Sequence, residues 1–328
     1  MTNSLAELGE AELLSRLARF APPGQFSNDT ATLPSDSRPL LVNTDVLVEN
    51  VHFSEATTSP EDVGWRAVAA NLSDLAASGA INVDGITVAL VAPGSTPWSW
   101  VEGVYKGLTK ALDRFGGVLL GGDCSRGLQR SLSITALGRL SDLHLHRGDA
   151  HPGDVLVTSG VHGLSRLGLA LLQNDPDLDG LSLAEDLKQA SITQHQRPIP
   201  RLDALNALLK TKPSHQPWRA GGTDSSDGLL AAVEGLCASS CCGALLDREQ
   251  MPRPHGWPTG PHWDHWCLSG GEDFELVLSL PQDWAERWLT TQPGSVRLGT
   301  ITAEDGVIRW RHDRSPISQP SFNHYDEP

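Results

Sequence analysis

Six short stretches set carboxylates among small, turn-forming or hydroxyl residues. They are SNDTAT (Asp29), VNTDVL (Asp45), NLSDLA (Asp74), GGDCSRG (Asp123), TDSSDG (Asp224, Asp227) and SGGEDF (Glu272, Asp273). Hard cations need oxygen ligands, and Mg²⁺ prefers one or two carboxylates plus substrate phosphates to an all-protein cage. The pattern points to polyphosphate chemistry, with metal bridging protein and ligand.

Most acidic residues are solvated surface, so each candidate needs a reason to differ. Asp74 shares a helix face with Val63, Ala67, Ala70 and Ala77, while Trp65, Val68, Leu72 and Leu75 line another. A helix apolar nearly all round is buried, and a buried carboxylate needs a cation or several donors. Asp45 falls mid-strand with Asn43 on its own face and Val42, Val46 and Val48 opposite. Asp is disfavoured inside strands, and metal ligation explains it, with an edge-strand gatekeeper charge as the alternative. The glycines of GGDCSRG follow a strand and would let backbone approach a phosphate, although any Gly-rich turn looks similar. TDSSDG opens a helix. Ser226 or Asp227 could be a simple cap there, or the amide-rich start could hold a phosphate whose metal Asp224 and Asp227 bind.

Several chemistries have no motif. A GxxxxGK[ST] loop, protein-kinase loops, HExxH and an intact GxSxG elbow are missing. Among the 328 residues, 39% are hydrophobic and 20% charged, as expected of a soluble globular protein of about two domains. A net charge of −15 argues against a nucleic-acid partner, which requires clustered Lys and Arg. No apolar run approaches the ~20 residues of a membrane span, and the acidic N-terminus lacks signal-peptide character. Cys124, Cys237, Cys241, Cys242 and Cys267 are odd in number and without framework spacing, so free thiols and a cytoplasmic location are expected. Cys237, Cys241 and Cys242 could join His262, His265 and Cys267 around zinc, but the paired spacing of zinc sites is missing.

The elements that must position these groups alternate. Ser4 and Glu7 form a capping box before a helix face of Leu13, Leu14, Leu17 and Phe20. Residues 40–48 read as a strand, and Ser59-Pro60-Glu61-Asp62 starts a helix ending near Gly79. Further strands are expected at 85–92, 117–121 and 131–138, with a helix near 97–114. The polar segment 141–153 reads as a junction between a domain at 1–140 and another at 154–328. The second half repeats the alternation, with strands in DVLVTSG, ALLD, FELVLSL and SVRLGTI. Helices are expected at VHGLSRLGLALLQ, from about Arg197, at SDGLLAAVEGLCA and at 281–291, with an acidic, mobile loop at 174–190. The fold class is α/β, or α+β, in two similar-sized domains.

In this order, NTDVLVENVHF, PEDVGWRAVAANLSDLAASGA, GGDCSRG, the Arg147–Asp154 stretch, DSSDGL and LSGGEDFEL resemble the thiamine-monophosphate kinase family. The resemblance runs from about Asp29 to Glu275, with an echo in the C-terminal FNHYD. It implies the two-domain fold of aminoimidazole ribonucleotide synthetase. In that fold the N-terminal domain pairs in a homodimer and a C-terminal α/β domain closes the ATP cleft. It also implies transfer of the γ-phosphoryl group of ATP to thiamine monophosphate with several Mg²⁺ ions, the last step in making thiamine diphosphate.

Carried over motif by motif, Asp29, Thr44, Asp45, Asp74, Asp123, Asp224 and Asp227 would hold metal, with Asn43 beside them. Gly122, Asp123, Arg147 and Ser226 would contact ATP, with Tyr105 beside the nucleotide. His52 would meet the thiamine phosphate, Glu272 would bind the thiamine moiety, and Phe322 would stack on it. Three departures stand out: Asn28 replaces one carboxylate of a G-D-D run, Asn43 and Cys124 replace hydroxyl residues, and Phe322 replaces tryptophan. The alternatives are another ATP-dependent synthetase of this fold or a non-catalytic sensor of nucleotide or thiamine phosphates. No cysteine precedes Cys124, which disfavours a selenophosphate synthetase.

Overall fold

The computed structural model describes residues 3–317, which divide into two compact units. The first comprises the chain up to Leu75 together with Ala80–Leu140; the second comprises Ala76–Gly79 and the chain from Ser141.

The first unit starts with helices α1 (Leu5–Leu8) and α2 (Glu10–Leu17). The Ser4 amide donates to the Glu7 carboxylate at 2.9 Å and the Glu7 amide to Ser4 Oγ at 3.4 Å, completing the expected capping box. The single helix expected here is two, because the chain turns at Gly9 in the left-handed region (φ +73°). Leu13 and Leu17 are buried while Leu14 is 42% exposed.

Next come β1 (Leu40–Val48), α3 (Pro60–Ala77), β2 (Ala80–Ala92), α4 (Trp98–Phe115), β3 (Val118–Arg126) and β4 (Ser131–Leu140). Ser59 caps α3 as expected, accepting from the Asp62 amide at 3.3 Å and donating to its carboxylate at 2.6 Å. The sheet order is β1-β4-β2-β3, with β2 and β3 parallel and the other pairs antiparallel. Helices α3 and α4 meet closely: a Cβ on Gly107 would lie 1.8 Å from the Glu61 carbonyl oxygen.

Register decides which face each side chain takes, because alternate strand residues point to opposite faces. Asp45, Ile134, Val88 and Gly122 form one row across the sheet, on the face that packs against the core. The next row, Val46, Ser133, Ala89 and Asp123, takes the other face. Leu40, Val42 and Val46 on that outward face are 43%, 58% and 47% exposed.

The second unit contains β5 (Val155–Thr158), α5 (Leu164–Gln173), α6 (Glu185–Gln196), α7 (Leu202–Thr211), β6 (Gly221–Asp224) and α8 (Leu229–Ser239). It continues with β7 (Gly243–Leu246), α9 (Pro261–Ser269), β8 (Leu276–Leu280), α10 (Gln282–Thr291), β9 (Val296–Thr302) and β10 (Ile308–Trp310). Its six-stranded mixed sheet runs β10-β7-β9-β5-β8-β6. The segment 141–153, expected as a junction, folds into this unit. Its period-two apolar residues Leu143 and Leu145 are buried, and His146 bridges Gly221. The expected loop at 174–190 includes the start of α6, which packs on α5 where a Cβ on Gly168 would lie 2.1 Å from the Ser191 carbonyl oxygen. Two indoles of α10 donate to carbonyls of α7: Trp284 to Leu208 and Trp288 to Ala204, each at 3.0 Å. Among the described residues no helix is long and apolar enough to cross a membrane.

Candidate metal and phosphate site

In the first unit, β1 and α3 bring three polar side chains together. Asn43 Nδ2 donates to Asp74 Oδ2 at 3.0 Å and to Asn71 Oδ1 at 3.1 Å. Asn71 Oδ1 also accepts the Asp45 amide at 3.2 Å, and its own Nδ2 donates to the Ala67 carbonyl at 2.9 Å. Asn71 is fully buried; Asn43, Asp45 and Asp74 are half-buried, so a ligand can reach them. Asn71 was missed in the sequence, although it precedes Asp74 by one helical turn in NLSD.

This corner fits a hard cation. Asn43 Oδ1 is buried and has no hydrogen-bond partner, an oxygen lone pair left over beside the Asp74 carboxylate. Buried acceptors normally find partners, so an orphan next to an acid is a ready ligand position. Among the described residues no three His, Cys, Asp or Glu side chains are grouped closely enough to hold a metal.

The other first-unit candidates lie elsewhere. Thr44 points to the opposite face of β1, its hydroxyl 2.8 Å from that of Thr135. Asp123 is exposed on the outward face, on the strand at the far edge from β1, so this unit alone does not bring it to Asn43 and Asp74. Asp29 is exposed, just after the Gln25–Ser27 turn that packs beside β3. His52 Nδ1 accepts the Val48 amide at 3.1 Å, which fixes its ring beside the end of β1.

GGDCSRG corrects the expectation of a glycine-rich turn, since residues 121–126 are strand β3 itself. Gly122 is required by sheet packing: a Cβ there would lie 1.9 Å from the Val88 carbonyl oxygen. Tyr105 is a core residue, 3% exposed, with its ring 5.6 Å from that of Phe20. Burial pushes its phenol well above the ordinary value, with Cys124 beside it; burial likewise raises the Cys124 thiol to about 11. Cys124 in turn lines a cavity of about 930 Å³ with Leu13, Leu90, Glu10, Ser95 and Ser125.

In the second unit, three motifs read separately in the sequence meet. TDSSDG runs from the end of β6 into α8, whose first turn has no side-chain cap. Asp224 and Ser225 are buried, Ser226 is half-buried and Asp227 is exposed. Arg147 Nε donates to Thr223 Oγ1 at 3.0 Å, putting an exposed guanidinium beside this turn. The Glu272 amide donates to the Ser226 carbonyl at 2.7 Å, and Ser225 Oγ accepts the Glu275 amide at 3.0 Å, so SGGEDF is tied to TDSSDG.

Glu272 and Phe274 both adopt left-handed backbone, φ +57° and +54°. Such strain in non-glycine residues costs about 1–3 kcal/mol each and gathers at functional sites. Asp273 between them is buried and accepts the Gly163 and Ser165 amides at 2.6 and 3.0 Å, holding the start of α5. Burial raises its carboxyl to about 7 despite these donors. His162 is fully buried, with Nδ1 3.9 Å from Asp273 and Nε2 2.8 Å from the Thr158 hydroxyl; burial lowers it to about 3. Glu275 is buried against Arg201 and Ser159, and burial raises its carboxyl. These buried groups were not legible as a set, because Asp273 and Glu275 stand in one motif while His162 and Arg201 lie far from it in the sequence. Phe322 lies outside the described residues.

Residues 27–140 match the family described as AIR synthase related protein, N-terminal domain. A Prochlorococcus marinus protein named thiamine-monophosphate kinase is 54% identical over 98% of this chain and 97% of its own length. Another of that name, from Synechococcus elongatus, is 43% identical over 96% of this chain and 95% of its own. A solved structure described as AaThiL complexed with AMPPCP and TMP matches with TM-score 0.75 at 27% identity, covering 99% of this chain and 100% of that one. With likeness extending over nearly the whole length, the chain belongs to the thiamine-monophosphate kinase family.

Proposed function

We propose that this protein transfers the γ-phosphoryl group of ATP to thiamine monophosphate, producing thiamine diphosphate. Near-complete coverage by relatives of that name carries the reading, and a similar fold described with AMPPCP and TMP supports it. The acceptor is a phosphate, already ionised near neutral pH, so no general base is needed to create the nucleophile. The obstacle is electrostatic, since two phosphates must come within bonding reach in a water-poor cleft.

Bound Mg²⁺ would supply charge neutralisation across the facing phosphates. Asp45, Asp74 and the unpartnered Asn43 oxygen are our proposed ligands in the first unit, with Asp29, Thr44 and Asp123 completing the set. In the second, Asp224 and Asp227 would hold metal while the uncapped start of α8, Ser226 and Arg147 bind phosphate. A guanidinium steered by Thr223 presents its fork to phosphate oxygens. We assign the nucleotide base to the cavity beside Cys124, which combines apolar walls with a few polar groups. His52 would meet the thiamine phosphate, and Glu272 and Phe322 the thiamine moiety.

We also propose a homodimer formed through the first unit. Among the described residues β1 and β3 are open edges, and the outward face between them carries exposed Leu40, Val42, Val46 and Val118. Pairing β1 of one copy with β3 of another would carry Asp123 toward Thr44 and Asp45 of its neighbour. All five cysteines are free thiols, in keeping with a cytoplasmic site of action. Incubation with MgATP and thiamine monophosphate, followed by chromatography, tests the central reading. Thiamine diphosphate is expected; tight binding of both ligands without product would favour a sensor instead.

A further inference from the structure

The carboxylate of Glu272 is 35% exposed, and a buried ring stands behind it. His195, in the last turn of α6 and 3% exposed, puts Nδ1 3.7 Å from Glu272 Oε2 and 3.2 Å from the Ser165 hydroxyl. The neighbouring Gln194 donates from Nε2 to the Asp273 carbonyl at 2.9 Å. Ser165 is itself fixed, because its amide donates to the Asp273 carboxylate at 3.0 Å. Helices α5 and α6 pack closely at this point: a Cβ on Gly168 of α5 would come within 3.0 Å of His195 Cβ.

The last turn of α6 therefore grips SGGEDF at two successive positions, one on the Asp273 backbone and one facing the Glu272 side chain. Nothing in phosphate or metal binding calls for a buried imidazole at that place. A carboxylate held at left-handed backbone does need its side chain steered, since the strained loop leaves its rotamer to be set by neighbours.

We propose that His195 is a positioning residue that aims the Glu272 carboxylate at the thiamine moiety of the acceptor, with Ser165 holding the imidazole in turn. This rests on the proposed role of Glu272 as a thiamine ligand. His195 touches no reacting atom. It sets how well the acceptor's heterocycle is held, and leaves nucleotide binding and the transfer step to other groups.

Steady-state kinetics on Glu272→Gln, His195→Ala, His195→Asn, Ser165→Ala and the Glu272→Gln/His195→Ala pair test it. Removing a partner of a charged group typically costs about tenfold in affinity. His195→Ala should raise KM for thiamine monophosphate about tenfold, with kcat and KM for ATP nearly unchanged. His195→Asn, whose amide nitrogen can stand near the Nδ1 position, should recover most of that loss. In the Glu272→Gln background, His195→Ala should add little, because both act through one contact. Equal losses for both substrates, fully additive losses, or an unchanged KM in His195→Ala would overturn the proposal. If Glu272→Gln itself leaves that KM unchanged, the assignment of Glu272 to thiamine fails, and this inference with it. Should His195→Ala not fold, Ser165→Ala and His195→Asn decide by the same split between the two KM values.

Discussion

The backbone amide of Glu272 donates to the carbonyl of Ser226 at 2.7 Å, joining two acidic motifs that lie far apart in the sequence. Gly271, at φ +70°, lets the loop come this close, since a Cβ there would sit 3.0 Å from the same carbonyl oxygen. Ser225 Oγ holds the Glu275 amide on the other side. The proposed phosphate-binding turn and the proposed thiamine-binding loop are therefore hydrogen-bonded to each other within the second unit.

Asp45→Ala and Asp74→Ala are expected to cut turnover at saturating Mg²⁺ by about a hundredfold or more, as loss of a preorganised electrostatic group does. The fold should survive, because both side chains are only half-buried. Activity assays beside circular dichroism melts check this. A folded variant with unaltered turnover would remove these carboxylates from the metal.

Asn71→Ala should destabilise the protein by about 1–3 kcal/mol, the range for leaving buried polar groups unpaired. It removes the acceptor shared by Asn43 Nδ2 and the Asp45 amide. Activity should fall as well, because β1 loses two of its hydrogen bonds to α3. Urea unfolding and turnover, measured on the same preparation, report the two effects.

Asp273 makes stability depend on pH. Its carboxyl is raised from 3.8 to about 7, so between those values the folded state binds more protons than the unfolded one. Its contribution is complete below the unfolded pKa and is lost as pH rises through the folded one. Buried His162, lowered from 6.5 to about 3, acts in the opposite direction over an overlapping window. Asp273→Asn should therefore make unfolding free energy climb more steeply with pH between about 4 and 7, by at most about 1.4 kcal/mol per pH unit. Denaturant midpoints measured across that window give the slope, and parallel curves for variant and parent would contradict the burial argument.

Mixing separately inactive Asp45→Ala and Asp123→Ala chains should restore activity if each site takes residues from both copies. Random reassortment gives about one intact site in each mixed pair, hence roughly a quarter of parental activity for equal amounts. Introducing Val42→Lys with Val46→Lys on the exposed face should yield monomers in sedimentation and abolish this recovery. An active monomer would count against the shared site.

Much of this protein could be read from residue types and spacing alone. The capping box at Ser4, the cap at Ser59 and the period-two pattern of β1 are local, and local periodicity is written directly into the sequence. Oxygen-rich motifs are likewise the sequence's own ground for the hard-cation and phosphate chemistry proposed above. Tertiary structure alone decided which of these groups meet. Register put Asp45 and Asp123 on opposite faces of one sheet, and a one-residue slip would have reversed that. Packing of α3 under β1 made Asn71 the link between Asn43 and Asp45. Burial gave Asp273 and His162 their shifted protonation, and the approach of α6 to a strained loop put His195 behind Glu272. Contacts between distant segments depend on how close-packed elements exclude one another in space, and a linear pattern does not record that.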